Sequence, residues 1–420
     1  MKPAVLILAA GMASRMGAAK ALLSLPSLPE GASCSALRGL VCLYRALGVE
    51  NVVIISGFHA EVVEAEALVL GLTAVRNPDP QRGMFSSVQT GVEALVKGGF
   101  EGQFFVQPVD VPLVRPLTIR ALLDAAGQEE ADHAAALAVS GKAAPMPVLV
   151  PTFDGQEGHP PLIPMALAPH ILAHQGQNGL RGALEGAPLR HVPVADALIL
   201  EDMDTPDDYA RLRVLARERH TLSPVEAECL LRICNVPEKG LRHARAVGAV
   251  ACCLAEALAH AREAAGYDAG VDPRLALAGG LLHDICKGQP RHEAAAGEFL
   301  RRLELPEMAR LVQDHRDLSL PEDEPVTERE LVYLADKYCY GGNFVPVQRR
   351  FGLKLEAYAQ DAPACEAIQG RLGRVKALEE RIAREIGKEP ALVAERALVR
   401  NCNAARGNAT RGNVARREVA

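Results

Sequence analysis

The sequence predicts an α/β domain with a Rossmann-like, mostly parallel sheet, followed by an all-α domain. Three observations predict it. Up to about residue 215, short β-branched or aromatic runs alternate with helical stretches, the pattern of helices layered on a parallel sheet. From about residue 222 the texture becomes rich in alanine and leucine, with almost no strand signal. A chain of 420 residues also exceeds what a single core normally organises. The expected boundary falls near the charged helix DDYARLRVLARERH, giving domains at 1–215 and 222–390. The remainder, 391–420, is expected to be a disordered tail, because its last stretch, RNCNAARGNATRGNVARREVA, is rich in Arg, Asn and Gly without apolar periodicity.

In chain order, Val5-Leu6-Ile7-Leu8, Val52-Val53-Ile54-Ile55, Phe104-Phe105-Val106 and Val148-Leu149-Val150 read as strands, each bounded by Gly, Pro or Asp. Ser87–Val96 and Pro116–Ala126 read as helices between them, and HARAVGAVACCLAEALAHAREAA as one long helix of the second half. The opening MKPAVLILAAG has no small-residue cleavage site after its apolar run and reads as a first core strand. No apolar stretch reaches the roughly 20 residues that span a bilayer, so no membrane partner is expected. The hydrophobic share of 49% and charged share of 23% are ordinary. A net charge of −6 provides no electrostatic grip on nucleic acid. Ten cysteines without a CxxC pair read as reduced thiols of a cytoplasmic protein.

Ligands of parallel sheets gather at the carboxyl ends of the strands. There the first strand breaks into LAAGMASRMGAAK. Gly11 and Gly17 remove side chains that would hold a ligand off the backbone, and Arg15 and Lys20 offer charge for a polyphosphate; an ordinary βα turn with two exposed cations reads equally well. QPVDVPLV places Asp110 after its strand, either as a Mg²⁺ ligand or as a turn residue before Pro112. In NPDPQRGMFSSVQTG, Gly83 precedes a helix whose start suits a phosphate, while Ser87 reads as a phosphate contact or an N-cap. EGHPPLIP carries His159 in a Gly-Pro turn, and in EDMDTPDDYARL the Thr205-Pro206 pair reads as a helix start that uses a nearby carboxylate as a cap.

In the second half, LLHDICKG sets His283 beside Asp284, with His243 upstream in LRHARAVGAVA and Asp336 downstream in VYLADKY. One ligand from each of three helices plus the adjacent pair encloses a divalent ion with positions open to water.

LAAGMASRMGAAK, PVDVP, GHP and DMDTPDD, in this order, resemble the nucleotidyltransferases that act on the molybdenum cofactor, over roughly residues 1–213. LAAG with GHP is closer to the cytidylyltransferase branch than to the guanylyl one. The resemblance implies Mg²⁺-dependent transfer from CTP, or GTP, to the phosphate of a molybdopterin-type substrate with release of diphosphate, and a molybdoenzyme that accepts the finished cofactor. It implies that Leu8, Ala9, Ala10, Gly11, Arg15, Gly17, Lys20, Gly83 and Ser87 bind the nucleotide. Arg15, Lys20 and Asp110 would be catalytic, with Asp110 on Mg²⁺ and Asp204 as a second acidic group. Residues 222–390 resemble the HD superfamily of metal-dependent phosphohydrolases. That implies a divalent transition metal such as Mn²⁺ or Fe²⁺ on His243, His283, Asp284 and Asp336, with Asp284 catalytic, and a phosphoester or nucleotide substrate. His292 and His315 match places where some members hold a second metal, and Lys287 lies where it meets a phosphate. A sugar phosphate as the acceptor, or an HD pocket that senses a nucleotide and regulates the transferase, are the competing expectations.

Overall fold

The computed structural model describes residues 2–12, 17–27, 32–318, 321 and 324–400. The chain divides into two compact units, Met1–Arg219 and His220–Ala420.

The first unit carries strands β1 (Ala4–Leu8), β2 (Ser24–Ser27), β3 (Ala32–Ser35), β4 (Asn51–Ser56), β5 (Ala74–Arg76), β6 (Gln103–Pro108), β7 (Val148–Phe153), β8 (Gln156–Glu157), β9 (Leu162–Pro164) and β10 (Leu189–Pro193). Eight of these form one sheet in the order β10-β7-β9-β6-β1-β4-β5, with β8 on β7, while β2 and β3 make a separate hairpin. β1 runs parallel to both β4 and β6, and β9 is antiparallel to β6 and β7. The sheet is therefore mixed but mostly parallel. β1 and β6 are buried along their whole lengths, as a strand covered on both faces must be, which is why they read as continuous apolar runs.

Helices α1 (Ala36–Ala46), α2 (Ala60–Val69), α3 (Met84–Lys97), α4 (Pro116–Ser140), α5 (Ala168–Ala173), α6 (Gly179–Ala183) and α7 (Pro206–Glu218) complete this unit. α4 runs well past the expected end at Ala126, because AAGQEEADHAAALAVS is made largely of strong helix formers and stops only at left-handed Gly141. Thr205 caps α7 in a capping box with Asp208, so that carboxylate closes the helix start. Because β4 and β6 flank β1 on opposite sides, the crevice beyond the end of β1 is the switch point where such sheets bind ligands.

In the second unit, α8 (Pro224–Ile233), α9 (Glu238–Ala264), α10 (Pro273–Leu282), α11 (His292–Arg302), α12 (Pro306–Val312), α13 (Glu328–Tyr338), α14 (Val347–Ala357) and α15 (Ala362–Ile386) surround a core built on Val247, Val250, Leu254, Leu331, Leu334 and Ile382. The two-residue pair β11 (Cys339–Tyr340) and β12 (Asn343–Phe344) is its only strand structure among the described residues. α9 is 27 residues long and apolar enough to cross a membrane by length and composition, contrary to the expectation of no such stretch; 56% of its apolar window is buried in this unit, as in a core helix. α10 crosses α9 at glycine on glycine: a Cβ on Gly280 would sit 2.6 Å from the Gly248 Cα. The expected tail needs correction. Residues 390–400 are helical, because Ala394, Ala397 and Leu398 share one face and bury it in the core. Residues 401–420 lie outside the described residues.

Candidate functional sites in the two units

At the switch point of the first unit lies a cleft of about 520 Å³ lined by Leu8, Ala9, Ala10, Gly11, Lys20, Gly83, Ser87, Asp110 and Asp204. All of these were singled out in the sequence. The backbone leaving β1 is tied down on both sides: Ala9 N–H donates to the Ile55 carbonyl at 2.9 Å, and Val109 N–H to the Leu8 carbonyl at 3.1 Å. Gly57 permits this, since a Cβ there would stand 2.6 Å from the Ala10 Cβ and 2.7 Å from its carbonyl oxygen.

Lys20 Nζ sits between two carboxylates, 2.5 Å from Asp204 Oδ1 and 3.3 Å from Asp110 Oδ2. Lys20 opens a short 3-10 helix (Lys20–Leu22), Asp110 follows β6 and Asp204 precedes α7, so three segments distant in sequence meet here. Burial works against the lysine's charge, but the hydrogen bond to Asp204 and the charges of Asp110 and Asp204 outweigh it and raise the pKa. Asp202 is pushed up by burial and by the neighbouring charges of Asp204 and Asp110, so acidic groups crowd here. Clustered hard oxygen donors of this kind suit Mg²⁺.

Gly83 holds φ 88° as the residue before α3, a conformation open to glycine at no steric cost. Ser87 is not an N-cap. It lies inside α3, and the Asn77 side-chain amide donates to the hydroxyls of Ser86 and Ser87 at 2.8 and 3.0 Å. Gly17 (φ 67°) is not among the cleft-lining residues, and Arg15 lies outside the described residues.

Sequence reading missed His59 and Met84 in the cleft lining; His59 Nε2 lies 3.0 Å from the Met12 carbonyl oxygen. The position of His59 just after β4 was the available signal. His159 instead lines a second, mainly apolar pocket with Val88, Val106, Val150 and Leu180. Burial lowers its pKa while the charge of Asp110 opposes, and its Nδ1 has no hydrogen-bond partner among the described residues.

In the second unit the six predicted ligands converge. Asp284 Oδ2 lies 3.5 Å from His283 Nε2 and 3.6 Å from His243 Nε2. Its other oxygen, Oδ1, lies 3.2 Å from His292 Nε2 and 3.5 Å from His315 Nε2. Asp336 Oδ1 joins the first set, 3.4 Å from His243 and 3.9 Å from His283. Asp284 thus faces all four imidazoles, and two groups of ligand atoms lie close enough together to hold an ion, His243 with His283 and Asp336, and His283 with Asp284 and His315, sharing His283.

His283 and His315 each turn Nδ1 to a backbone carbonyl, of Gly280 and of Val312, at 2.7 Å. That contact makes Nδ1 the protonated nitrogen and points the Nε2 lone pair at Asp284, the arrangement metal-binding histidines use. His283 Nε2 is buried without a hydrogen-bond partner. The residues present thus fit divalent ions with mixed nitrogen and oxygen ligands.

Burial would push Asp284 up, but the imidazoles of His283 and His315 and the Lys287 ammonium beside it win and hold it well below the usual carboxylate range. Asp336 is likewise held low against its burial, chiefly by Lys337 and Arg350. Lys337 and Arg350 escape a reading of the sequence, because a cation on a helix ordinarily reads as a solvated face.

Two domain families match, one in each unit. Residues 5–194 match the MobA-like NTP transferase domain family and residues 240–341 the HD domain family. The chain is 35% identical over 136 residues to the bifunctional protein GlmU of Rhizorhabdus wittichii, a match covering 32% of this chain and 28% of that protein. It therefore spans under a third of the curated relative's length. Among solved structures, Rv0371c from Mycobacterium tuberculosis H37Rv is 23% identical, covering 51% of this chain and 99% of that one with a TM-score of 0.40. A nucleotidyl transferase from Methanothermobacter thermautotroptrophicus is 19% identical, covering 52% and 98%, also with a TM-score of 0.40.

Proposed function

We propose that the chain is a bifunctional cytoplasmic enzyme. Its first unit transfers a nucleotidyl group from CTP, or GTP, to the phosphate of a molybdopterin-type substrate, and its second hydrolyses a phosphorylated compound with divalent metal. The observation that carries the first half is Lys20 held between Asp110 and Asp204 at the mouth of β1. In this reading an acceptor phosphate oxygen bonds to the α-phosphorus, the bond from that phosphorus to the β-phosphate oxygen breaks, and diphosphate leaves with the electron pair. The acceptor already carries its nucleophilic oxygen, so the protein's tasks are alignment and charge neutralisation.

Backbone N–H groups of residues 10 and 11 and the Lys20 ammonium would face the triphosphate, with Arg15 of the same sequence segment as a further proposed contact. Asp110 and Asp204 would hold Mg²⁺, which when bound neutralises phosphate charge. The apolar pocket lined by His159 offers room for the acceptor, and the nine described cysteines, all free thiols, suit a reducing compartment. A molybdoenzyme that receives the product is part of the same reading.

In the second unit His243, His283, Asp284 and Asp336 would hold one ion, and His292 and His315 with Asp284 a second, of the Mn²⁺ or Fe²⁺ type. Such ions polarise a phosphoryl oxygen and lower the pKa of water. The full-length chain with Mg²⁺, each of the four NTPs and either a molybdopterin-type acceptor or sugar phosphates tests the first half. Diphosphate release with CTP or GTP and the molybdopterin-type acceptor is expected. Release only with a sugar phosphate moves the enzyme to that acceptor class, and no release with any pair overturns the transferase reading.

A further inference from the structure

We propose that the second unit's site takes a compact phosphoanhydride without a base, inorganic diphosphate, which is the by-product of the first unit's reaction. The inference rests on the hydrolase reading of that site. Three features of the pocket over the histidine cluster carry it.

The first is charge. Lys287, Arg316, Lys337, Arg350, Lys354 and Arg371 line it, against the carboxylates of Asp284 and Asp336. Lys287 lies 2.5 Å from Asp284, and Lys337 and Arg350 lie 2.9 and 3.3 Å from Asp336. Those two carboxylates also face the histidines, so a divalent ion competes for the same oxygens and leaves these three cations in need of another anion. Arg316 and Arg371 rest on Glu293 and Asp317 at 3.5 and 3.4 Å. Lys354 has no carboxylate partner among the described residues; burial and then the repulsion of Arg350 and Lys337 lower its pKa. An arriving multivalent anion removes that repulsion.

The second is size. The pocket holds about 160 Å³, against about 520 Å³ in the cleft of the first unit, and pockets for drug-sized ligands start near ~300 Å³. The third is that the described lining residues present no exposed apolar aromatic face for a base. Phe351 is the one aromatic among its non-histidine lining residues and is 2% exposed, and Ile368 is 7% exposed, so neither offers a face for stacking. A nucleotide would find its phosphates well matched and its base without a seat.

The reaction balances without a co-reactant other than water. A water oxygen bonds to one phosphorus and the bridging P–O bond breaks. Its electron pair leaves on the second phosphate, and the protons of water end on phosphate oxygens, giving two orthophosphates. Removing diphosphate also makes the transfer in the first unit irreversible.

The test uses the full-length chain. Loaded with Mn²⁺, it is offered diphosphate, CTP, CMP and bis(p-nitrophenyl) phosphate. A kcat/KM for diphosphate above the other three supports the proposal. Faster hydrolysis of a nucleotide or of the diester overturns it while leaving the hydrolase reading intact. No hydrolysis of any of them, with metal bound, ends the hydrolase reading and the proposal together.

A binding measurement needs no turnover. The Mn²⁺-loaded Lys20→Ala chain, in which the first cleft is weakened, is titrated with methylenediphosphonate. Lys354→Glu in that background should weaken Kd by about tenfold and Lys354→Arg by less than about twofold, as expected for a charge contact near the surface. An unchanged Kd in Lys354→Glu overturns the proposal.

Discussion

Asp284→Asn is the sharpest perturbation the second site offers. Each of the four imidazole Nε2 atoms lies within 3.6 Å of one or the other Asp284 oxygen. The amide keeps the shape of the side chain but removes its charge and replaces one of its two oxygens with a donor that repels a cation. Losing a mere outer partner of a metal ligand costs about 10- to 100-fold in affinity. Asp284 faces both ligand groups directly, so the loss should exceed ~100-fold for each ion. The protein is stripped with chelator, reloaded with Mn²⁺, dialysed and measured for metal per chain by mass spectrometry. Wild type should retain two ions and Asp284→Asn fewer than one, with unchanged circular dichroism. Lys287→Ala, which removes a cation but no ligand, should retain both. Equal metal in wild type and Asp284→Asn would refute the reasoning.

Lys20→Met keeps the length of the side chain and removes its charge, so transferase kcat/KM should fall about 10²- to 10³-fold with little change in melting temperature, as measured by initial rates and calorimetry. Gly57→Ala forces a methyl against the Ala10 backbone, where the neighbour cannot yield. We expect about 1–3 kcal/mol of destabilisation in denaturant melts together with weaker nucleotide binding. The Glu64 carboxyl is lowered to about 2, first by its hydrogen bond from Arg76 and then by that from Ser56. Its folded pKa lies below its unfolded one, so this contribution is present above about pH 4.5 and disappears as pH falls through about 2. The pair is partly exposed, so Glu64→Gln should cost under ~1 kcal/mol at pH 7 and next to nothing once the pH is well below the folded pKa of about 2, read from stability against pH.

The strands were legible because β1 and β6, covered on both faces, must be continuous apolar runs; the opening loop alone read equally well as an ordinary βα turn, and became legible only with PVDVP, GHP and DMDTPDD following it in order. The histidines and acids of the second site were legible because buried ionisable groups in apolar helices demand partners. What the sequence did not show is pairing across distance. Nothing local to Lys20 announces Asp204, 184 positions away, and nothing local to Arg350 announces Asp336. Ser87 read equally well as an N-cap because spacing alone cannot show that Gly83, with its positive φ, ends the preceding turn. The stretch 390–400 was read as tail on the composition of the residues that follow it, which masked the spacing of Ala394, Ala397 and Leu398.

Anomalous diffraction at the manganese edge, from crystals of the full-length chain grown with Mn²⁺ and CTP, addresses the central claim most directly. The account predicts one peak between Asp110 and Asp204 and two peaks flanking Asp284, one toward His243, His283 and Asp336 and the other toward His292 and His315. Density for CTP in the first cleft with no metal at either acidic site would contradict it.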